Sequence, residues 1–407
     1  MSKYILKKLT KNMCFCRMRS ILFTPHKIGH VNIKNRFIRS ATCENLSQKN
    51  GLPLPKLFSM MKQLADGEVG LIIPGYVYPS NDSISWGGQV GMTSQLHSDI
   101  WKPTIEYIHS RHSRIFFQVC HCGSRTSPEL IGGKNLKSVS GLIKGTEILT
   151  NAEIEDIIAN FTNCAKLIQS SGADGIQLHA AHGYLLSEFL SPFYNRREDK
   201  WGKDKLRIIK EIVKEIRKST NLAISLKMNG HDCIDGGVTP KICASYINEL
   251  LQNDENINLE NSRIDMFEIS CGFSNLMTTI RSDVDLKRIY KGMSEDNKKY
   301  ISSVLNQADQ KYPYFEGYNA KFADEIRKLA PKATLAVVGG NRDFNKMQKL
   351  IIDNTVDFVS MSRPFIRQPH LLRTYQDALT TKSDCTSCGE CIIKPTDKSL
   401  ACTFTHE

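Results

Sequence analysis

His179-Ala180-Ala181-His182-Gly183-Tyr184 brings two imidazoles and a phenol within reach of one small volume. Neutral imidazole N–H groups donate to a carbonyl oxygen, and a phenol can deliver a proton. The H-x-x-H spacing can also chelate a metal, although no Glu follows the first His as a zinc-protease helix requires. Two structural histidines are the third reading. On this segment alone all three stay open. A second constellation stands near the C-terminus. Cys385, Cys388 and Cys391 read C-x2-C-x2-C, and Cys402 follows. Thiolates at such spacing hold a [4Fe–4S] cluster or a structural Zn²⁺, and an unoccupied motif is the alternative. The chain has 13 cysteines, an odd number. No secretory leader accompanies them, so a disulfide framework is not expected.

These residues need a scaffold. Short apolar runs at 37–41, 70–75, 114–118, 175–178, 223–228, 266–269, 334–338 and 358–361 alternate with helical periodicity at 54–65, 97–111, 151–171, 206–217, 239–251, 319–329 and 345–352. The strands are rich in Val, Ile and Phe, as expected of strands covered on both faces. The pattern predicts an α/β fold, a single-domain (β/α)8 TIM barrel over residues 21–380. A doubly wound open sheet is the competitor, but no G-x-G-x-x-G follows an early strand. Two long gaps, 119–150 and 272–318, leave strand C-termini and are expected to be lids or added elements.

In a barrel the strand ends converge on one mouth. Cys43 follows the first strand, Gly75 ends the second and Gln118 the third, with His121 just beyond. His179, His182 and Tyr184 follow the fourth, Lys227 ends the fifth, and Ser270 and Cys271 follow the sixth. Gly339-Gly340 after the seventh and Ser362-Arg363 after the eighth stand where such barrels hold a phosphate. Glycines let backbone N–H groups approach an anion, and Arg363 adds a charged fork. A tight turn with a surface arginine is the plainer alternative.

Composition narrows the function classes. Of 407 residues, 41% are hydrophobic and 24% charged, ordinary globular values. The net charge of +12 is partly an N-terminal effect, because no Asp or Glu precedes Glu44. Elsewhere lysines alternate with acids, and no nucleic-acid-binding signature appears, so no nucleic-acid partner is expected. No apolar run is long enough for a membrane span. Residues 1–20 form a basic extension with Lys3, Lys7, Lys8, Lys11, Arg17 and Arg19. It reads as an unstructured leader of a cytoplasmic protein, with organelle targeting as the alternative. Residues 381–407 form a Cys-rich tail.

At this point the motifs resemble a known family. Lys34-Asn35-Arg36-Phe37, Arg39-Ser40-Ala41-Thr42, Phe117-Gln118, the run from His179 through Leu186, Ser191-Pro192, Asn195, Arg197, Asp199, Val338-Gly339-Gly340 and Ser362-Arg363 together resemble the Old Yellow Enzyme family of NAD(P)H:flavin oxidoreductases. The resemblance covers residues 22 to about 370. It implies FMN held non-covalently among Ser40, Ala41, Thr42, Cys43, Gly75, Gln118, Lys227, Gly339, Gly340, Ser362 and Arg363. Gln118 and Lys227 would meet the pyrimidine side of the ring, and Cys43 would tune the flavin. It also implies hydride transfer from NAD(P)H by way of FMN to an electron-poor alkene such as an enone. His179 and His182 would bind the substrate oxygen, and Tyr184 would donate the proton. Trp201-Gly202-Lys203 departs from the family's Tyr-Gly-Gly, and Lys227 replaces the more frequent Arg. The cysteine tail resembles that of the 2,4-dienoyl-CoA reductase branch, so an iron–sulfur flavoprotein reducing enoyl thioesters is the alternative activity. A small alkene and NAD(P)H are the expected partners, with self-association into a homo-oligomer left open.

Overall fold

The computed structural model describes residues 20–252, 263–273, 279–285, 312–393 and 400–403, with scattered positions between 287 and 302. Apart from Ser20, the basic extension lies outside the described residues. Eight strands carry the chain: Phe37–Arg39 (β1), Leu71–Ile72 (β2), Arg114–Val119 (β3), Gly175–Ala180 (β4), Ala223–His231 (β5), Met266–Cys271 (β6), Leu335–Val338 (β7) and Phe358–Met361 (β8). They pair in parallel in chain order, and β8 returns to β1 to close a barrel. The expected (β/α)8 barrel is therefore the observed fold.

The two-residue period of a strand sorts side chains to two faces. Ile38, Phe116, Ala223, Met266, Ala336 and Phe358 fill the barrel interior as one apolar cluster. Their neighbours Phe37, Phe117, Ile224, Phe267, Val337 and Val359 belong to the larger cluster between strands and helices. Both faces are buried, which is why these segments read as nearly continuous apolar runs. An antiparallel hairpin, His26–Ile28 with Val31–Ile33, adds Ile28, Val31 and Ile33 to the interior cluster. Gly175 makes room for this packing. A Cβ there would stand 2.6 Å from the Phe116 ring, so any side chain would force the layer apart.

Outside the barrel lie helices Pro55–Asp66 (α1), Lys102–Ser110 (α2), Asn151–Ser170 (α3), Arg207–Ser219 (α4), Pro240–Leu251 (α5), Ala320–Leu329 (α6) and Phe344–Ile352 (α7). Thr150 and Glu153 form a reciprocal capping box that starts α3. Helix α4 buries Ile208, Ile209, Ile212, Val213 and Ile216, one stripe at helical spacing. Each such side chain contributes about 1.5–3 kcal/mol on burial. The helix expected over 97–111 is broken into Gln95–Asp99 and α2. Pro103 starts a new helix at its first turn, and Trp101 turns inward between the rings of Phe58 and Phe117, at 5.0 and 4.9 Å. Two short helices after β8, Arg363–Arg367 and Leu371–Gln376, were not expected.

The gap at 119–150 carries a 3-10 turn, Pro128–Ile131, and a short pairing of Lys137–Ser138 with Glu147–Ile148. Much of the gap at 272–318 lies outside the described residues. The Cys-rich tail folds back on the barrel. Phe344 N donates to Thr381 O at 2.8 Å, Arg342 Nη1 to Cys385 O at 2.6 Å, and Leu400 N to Glu44 O at 3.2 Å. Among the described residues no helix is long and apolar enough to cross a membrane.

Candidate active site

Toward the C-terminal ends of the strands the interior turns polar in the same two-residue register. Ile38 is followed by Ser40, Phe116 by Gln118, Gly175 by Gln177, Ala223 by Ser225 and Lys227, and Met266 by Glu268 and Ser270, all buried. These side chains form a belt. Gln118 Nε2 donates to Gln177 Oε1 at 2.6 Å, and Gln177 Nε2 donates to Ser225 Oγ at 3.1 Å and Glu268 Oε2 at 3.2 Å. Lys227 Nζ stands 3.3 Å from Glu268 Oε2 and donates to Ser40 Oγ at 2.9 Å. A fully buried ion pair persists only when both members are matched. Glu268 Oε1 nevertheless has no partner and is left as an acceptor in the belt.

Above the belt lie the residues after β4. The rings of His179 and His182 meet edge to face at 5.1 Å, and Tyr184 lies 5.0 Å from His179. His182 adopts φ +66° and Gly183 φ +80°, a left-handed turn that returns Tyr184 to the histidines. Ala181 N donates to His179 Nδ1 at 3.4 Å, so the His179 proton resides on Nε2. Ser270 Oγ lies 2.7 Å from His182 Nε2, and Asn229 Oδ1 accepts from His182 N at 3.3 Å. Burial pushes both imidazoles well below their usual pKa, with Lys227 adding to the effect. They are neutral near pH 7. Burial also pushes the Tyr184 phenol up, so it stays protonated. Its hydroxyl lies 2.9 Å from that of Tyr76 and accepts from Trp86 Nε1 at 3.3 Å.

Across the barrel mouth from this set, the residues after β7 and β8 are closely packed. A Cβ on Gly339 would meet Asn319 Nδ2 at 2.5 Å, and one on Gly340 would meet Gly317 N at 2.7 Å. Gly340 also has φ +75°, which favours glycine. Thr42 Oγ1 and Ser362 Oγ are 2.6 Å apart, joining the ends of β1 and β8. Gly75 N donates to both carboxylate oxygens of Glu44, at 3.0 and 2.9 Å, and Arg39 Nη2 pairs with Glu44 at 2.6 Å. Ala41 and Cys43 are half-buried in the same loop. Burial, with Glu44 adding to it, pushes the Cys43 thiol up to about 11. Arg363 is buried. It donates to Ser282 Oγ at 2.9 Å, Arg281 O at 2.9 Å and Ser387 O at 3.3 Å. Its charge therefore ties the end of β8 to the cysteine loop.

Cys385, Cys388, Cys391 and Cys402 line one small recess beside Arg363. Among the described residues, no three His, Cys, Asp or Glu side chains close on a single metal-ion position. His121 stands apart from the imidazole pair. It accepts from Gly123 N at 3.1 Å, its carbonyl accepts from Leu185 N at 3.2 Å, and burial drives it down to about 4. It links two loops.

Several residues at the site escaped the sequence reading. Glu268 and Gln177 had a signal, since each is a polar residue at an inward position of an apolar strand. Tyr76 lies next to Gly75, but nothing local connects it to Tyr184. Trp86 had no signal.

Fold and site together define a (β/α)8-barrel protein with a buried polar belt, a tight glycine turn after β7, and two neutral histidines with a phenol at the mouth. Residues 21–268, more than half of the chain, match the NADH:flavin oxidoreductase / NADH oxidase family, and the chain belongs to that family. It is similar to an NADH oxidase of Thermoanaerobacter brockii, 27% identical over 365 residues that cover 86% of this chain and 49% of the relative. An NADPH dehydrogenase of Bacillus velezensis is 27% identical over 368 residues, covering 89% of this chain and 96% of that protein. A solved structure of 2-naphthoyl-CoA reductase with 2-naphthoyl-CoA superposes with a TM-score of 0.74 at 22% identity, over 91% of this chain and 54% of that one. The chain thus spans about half the length of some relatives and nearly all of others.

Proposed function

We propose that this chain is an FMN-dependent NAD(P)H oxidoreductase of the ene-reductase type, acting on an electron-poor alkene such as an enone. The observation that carries the reading is the trio at the mouth, with its rings 5.0–5.1 Å apart and both imidazoles neutral. The residues present fit FMN. Gly339 and Gly340 let the chain turn tightly against Asn319 and Gly317 at the end of β7, and Lys227 brings a buried cation to the belt beside the unpartnered Glu268 Oε1. Gln118 and Lys227 would hold the pyrimidine edge, and Ser40, Ala41, Thr42, Cys43 and Gly75 would line the ring. Gly339, Gly340, Ser362 and Arg363 would hold the phosphate. When bound, FMN supplies hydride chemistry between a nicotinamide and an alkene.

The chain's own groups do the rest. His179 donates from Nε2 to the substrate's carbonyl oxygen. With Ser270 as donor to its Nε2, His182 donates from Nδ1 to the same oxygen. Both donors are in place before negative charge develops there, which is electrostatic preorganisation. Tyr184 supplies the proton to the α-carbon, held at its oxygen by Tyr76 and Trp86. The test is an anaerobic spectrum of the purified protein. Flavin bands that NADPH bleaches and an enone restores are expected; protein without flavin, or reduced flavin indifferent to enones, would refute the reading.

A [4Fe–4S] cluster at the four tail cysteines is the second reading: they line one recess beside Arg363, near the cofactor loop through the Leu400–Glu44 hydrogen bond, and would have to draw together, since no three of them close on one metal position. The substrate class then widens to enoyl thioesters. Iron, zinc and acid-labile sulfide analysis of anaerobic protein separates the cluster from structural Zn²⁺ and from an unoccupied motif. Turnover of a dienoyl-CoA tests the thioester activity.

A further inference from the structure

Two thiols outside the proposed reaction meet behind His182. Cys271 ends β6, one residue after Ser270, whose hydroxyl contacts His182. Cys233 follows Asp232, which accepts from Asn229 Nδ2 at 2.9 Å, and Asn229 in turn accepts from His182 N. The β5–β6 register sets Cys271 opposite His231, with an irregularity immediately after Ser270. Cys233 Sγ turns back to within 3.9 Å of His231 O. Gly272 N, next to Cys271, donates to the same His231 O at 2.9 Å, which sets the two thiols beside each other, and Arg281 Nη2 donates to Cys271 Sγ at 3.9 Å. Cys233 is half-buried and Cys271 fully buried. Cys233 also sits at φ +59°, an uncommon conformation for a residue with a Cβ.

We propose that Cys233 and Cys271 form an oxidation site, a dithiol that hydrogen peroxide converts to a disulfide and that thereby withdraws the supports of His182. The hydrogen bond from Cys271, followed by His231 and Arg281, favours the Cys233 thiolate, whereas burial pushes the Cys122 thiol up to about 12. A thiolate that solvent can reach is the reactive form. Cys233 attacks one peroxide oxygen. The O–O bond breaks, the sulfur becomes a sulfenic acid, and the departing hydroxide takes up a proton to give water. Cys271 then displaces the oxygen from Cys233. The S–S bond forms, the S–O bond breaks, and the Cys271 proton leaves with that oxygen as a second water. Two thiols and one peroxide give one disulfide and two waters. Drawing Cys233 and Cys271 together moves the residues adjoining Asp232 and Ser270, and so disturbs both hydrogen bonds that orient His182.

The consequence for catalysis rests on the role proposed for His182, whereas formation of the disulfide does not. The test treats purified flavin-loaded protein with hydrogen peroxide, alkylates the remaining thiols and maps the peptides by mass spectrometry. The expected result is a crosslinked pair containing Cys233 and Cys271, with Cys164 and Cys243 still alkylated. Enone reduction should fall in proportion to the crosslinked fraction and return with dithiothreitol. Cys233→Ser should keep the starting activity and resist peroxide. Cys271→Ala removes the first influence that favours the thiolate, so it should form a Cys233 sulfenic acid more slowly and stop there, trapped by dimedone, which keeps the test open if Cys233→Ser folds poorly. Cys233 and Cys271 both alkylated after peroxide, or Cys233→Ser losing activity as fast as the unaltered protein, would overturn the proposal. A crosslink without enone activity in the untreated protein would instead count against the proposed function alone.

Discussion

Replacing Tyr184 by Phe removes one oxygen from the mouth and little else. The ring keeps its packing 5.0 Å from His179 and 5.4 Å from Tyr76. Tyr76 loses its hydroxyl partner at 2.9 Å, at a cost of about 1 kcal/mol in stability. Trp86 is 57% exposed, so water replaces its bond. The chemical loss is larger. A positioned general acid contributes about 10²–10⁴-fold, equivalent to about 3–5 kcal/mol of barrier. Anaerobic stopped-flow separates the two halves of the reaction. Flavin reduction by NADPH should keep its rate, while reoxidation by an enone should slow by that factor. An unchanged alkene step would refute the role of Tyr184. Equal slowing of both steps would instead show that the substitution had disturbed the site as a whole.

Three further outcomes are expected. Lys227→Met strands Glu268 in the barrel interior and should cost about 3–5 kcal/mol in urea denaturation, and adding Glu268→Gln should recover most of it. Gly340→Ala places a Cβ 2.7 Å from Gly317 N at φ +75°, a strain of about 1–3 kcal/mol; gel-filtered protein should show a reduced flavin-to-protein absorbance ratio. Burial raises the Glu188 carboxyl to about 7, against hydrogen bonds from Ser124 Oγ at 2.8 Å and Val139 N at 3.2 Å. A carboxyl raised in the folded state contributes stability below its unfolded pKa and loses it as pH rises. Stability should therefore decline between about pH 4.5 and 7, by on the order of 3 kcal/mol. Glu188→Gln should flatten that decline in urea titrations at pH 5 and pH 8.

Much of this molecule is local in origin and therefore legible in the chain. Each barrel strand carries its own two-residue alternation, so Phe116 and Gln118 announce an inward face without reference to any partner. The stripe of Ile208, Ile212 and Ile216 announces α4 in the same way. The His179–Tyr184 run and the tail cysteines are also local, because their spacing along the chain is their signature. Partner choice is different. Lys227 pairs with Glu268 because β5 and β6 are in register, and it reaches Ser40 because the barrel closes. Tyr76 and Trp86 reach Tyr184 across 108 and 98 residues of chain. Cys233 and Cys271 meet only through the same β5–β6 register. The trio at the mouth was thus visible in the sequence, whereas its neutrality, its supports and the thiols behind it depend on burial and on contacts between distant strands. Burial and long-range register are properties of the closed barrel, and no single segment encodes them.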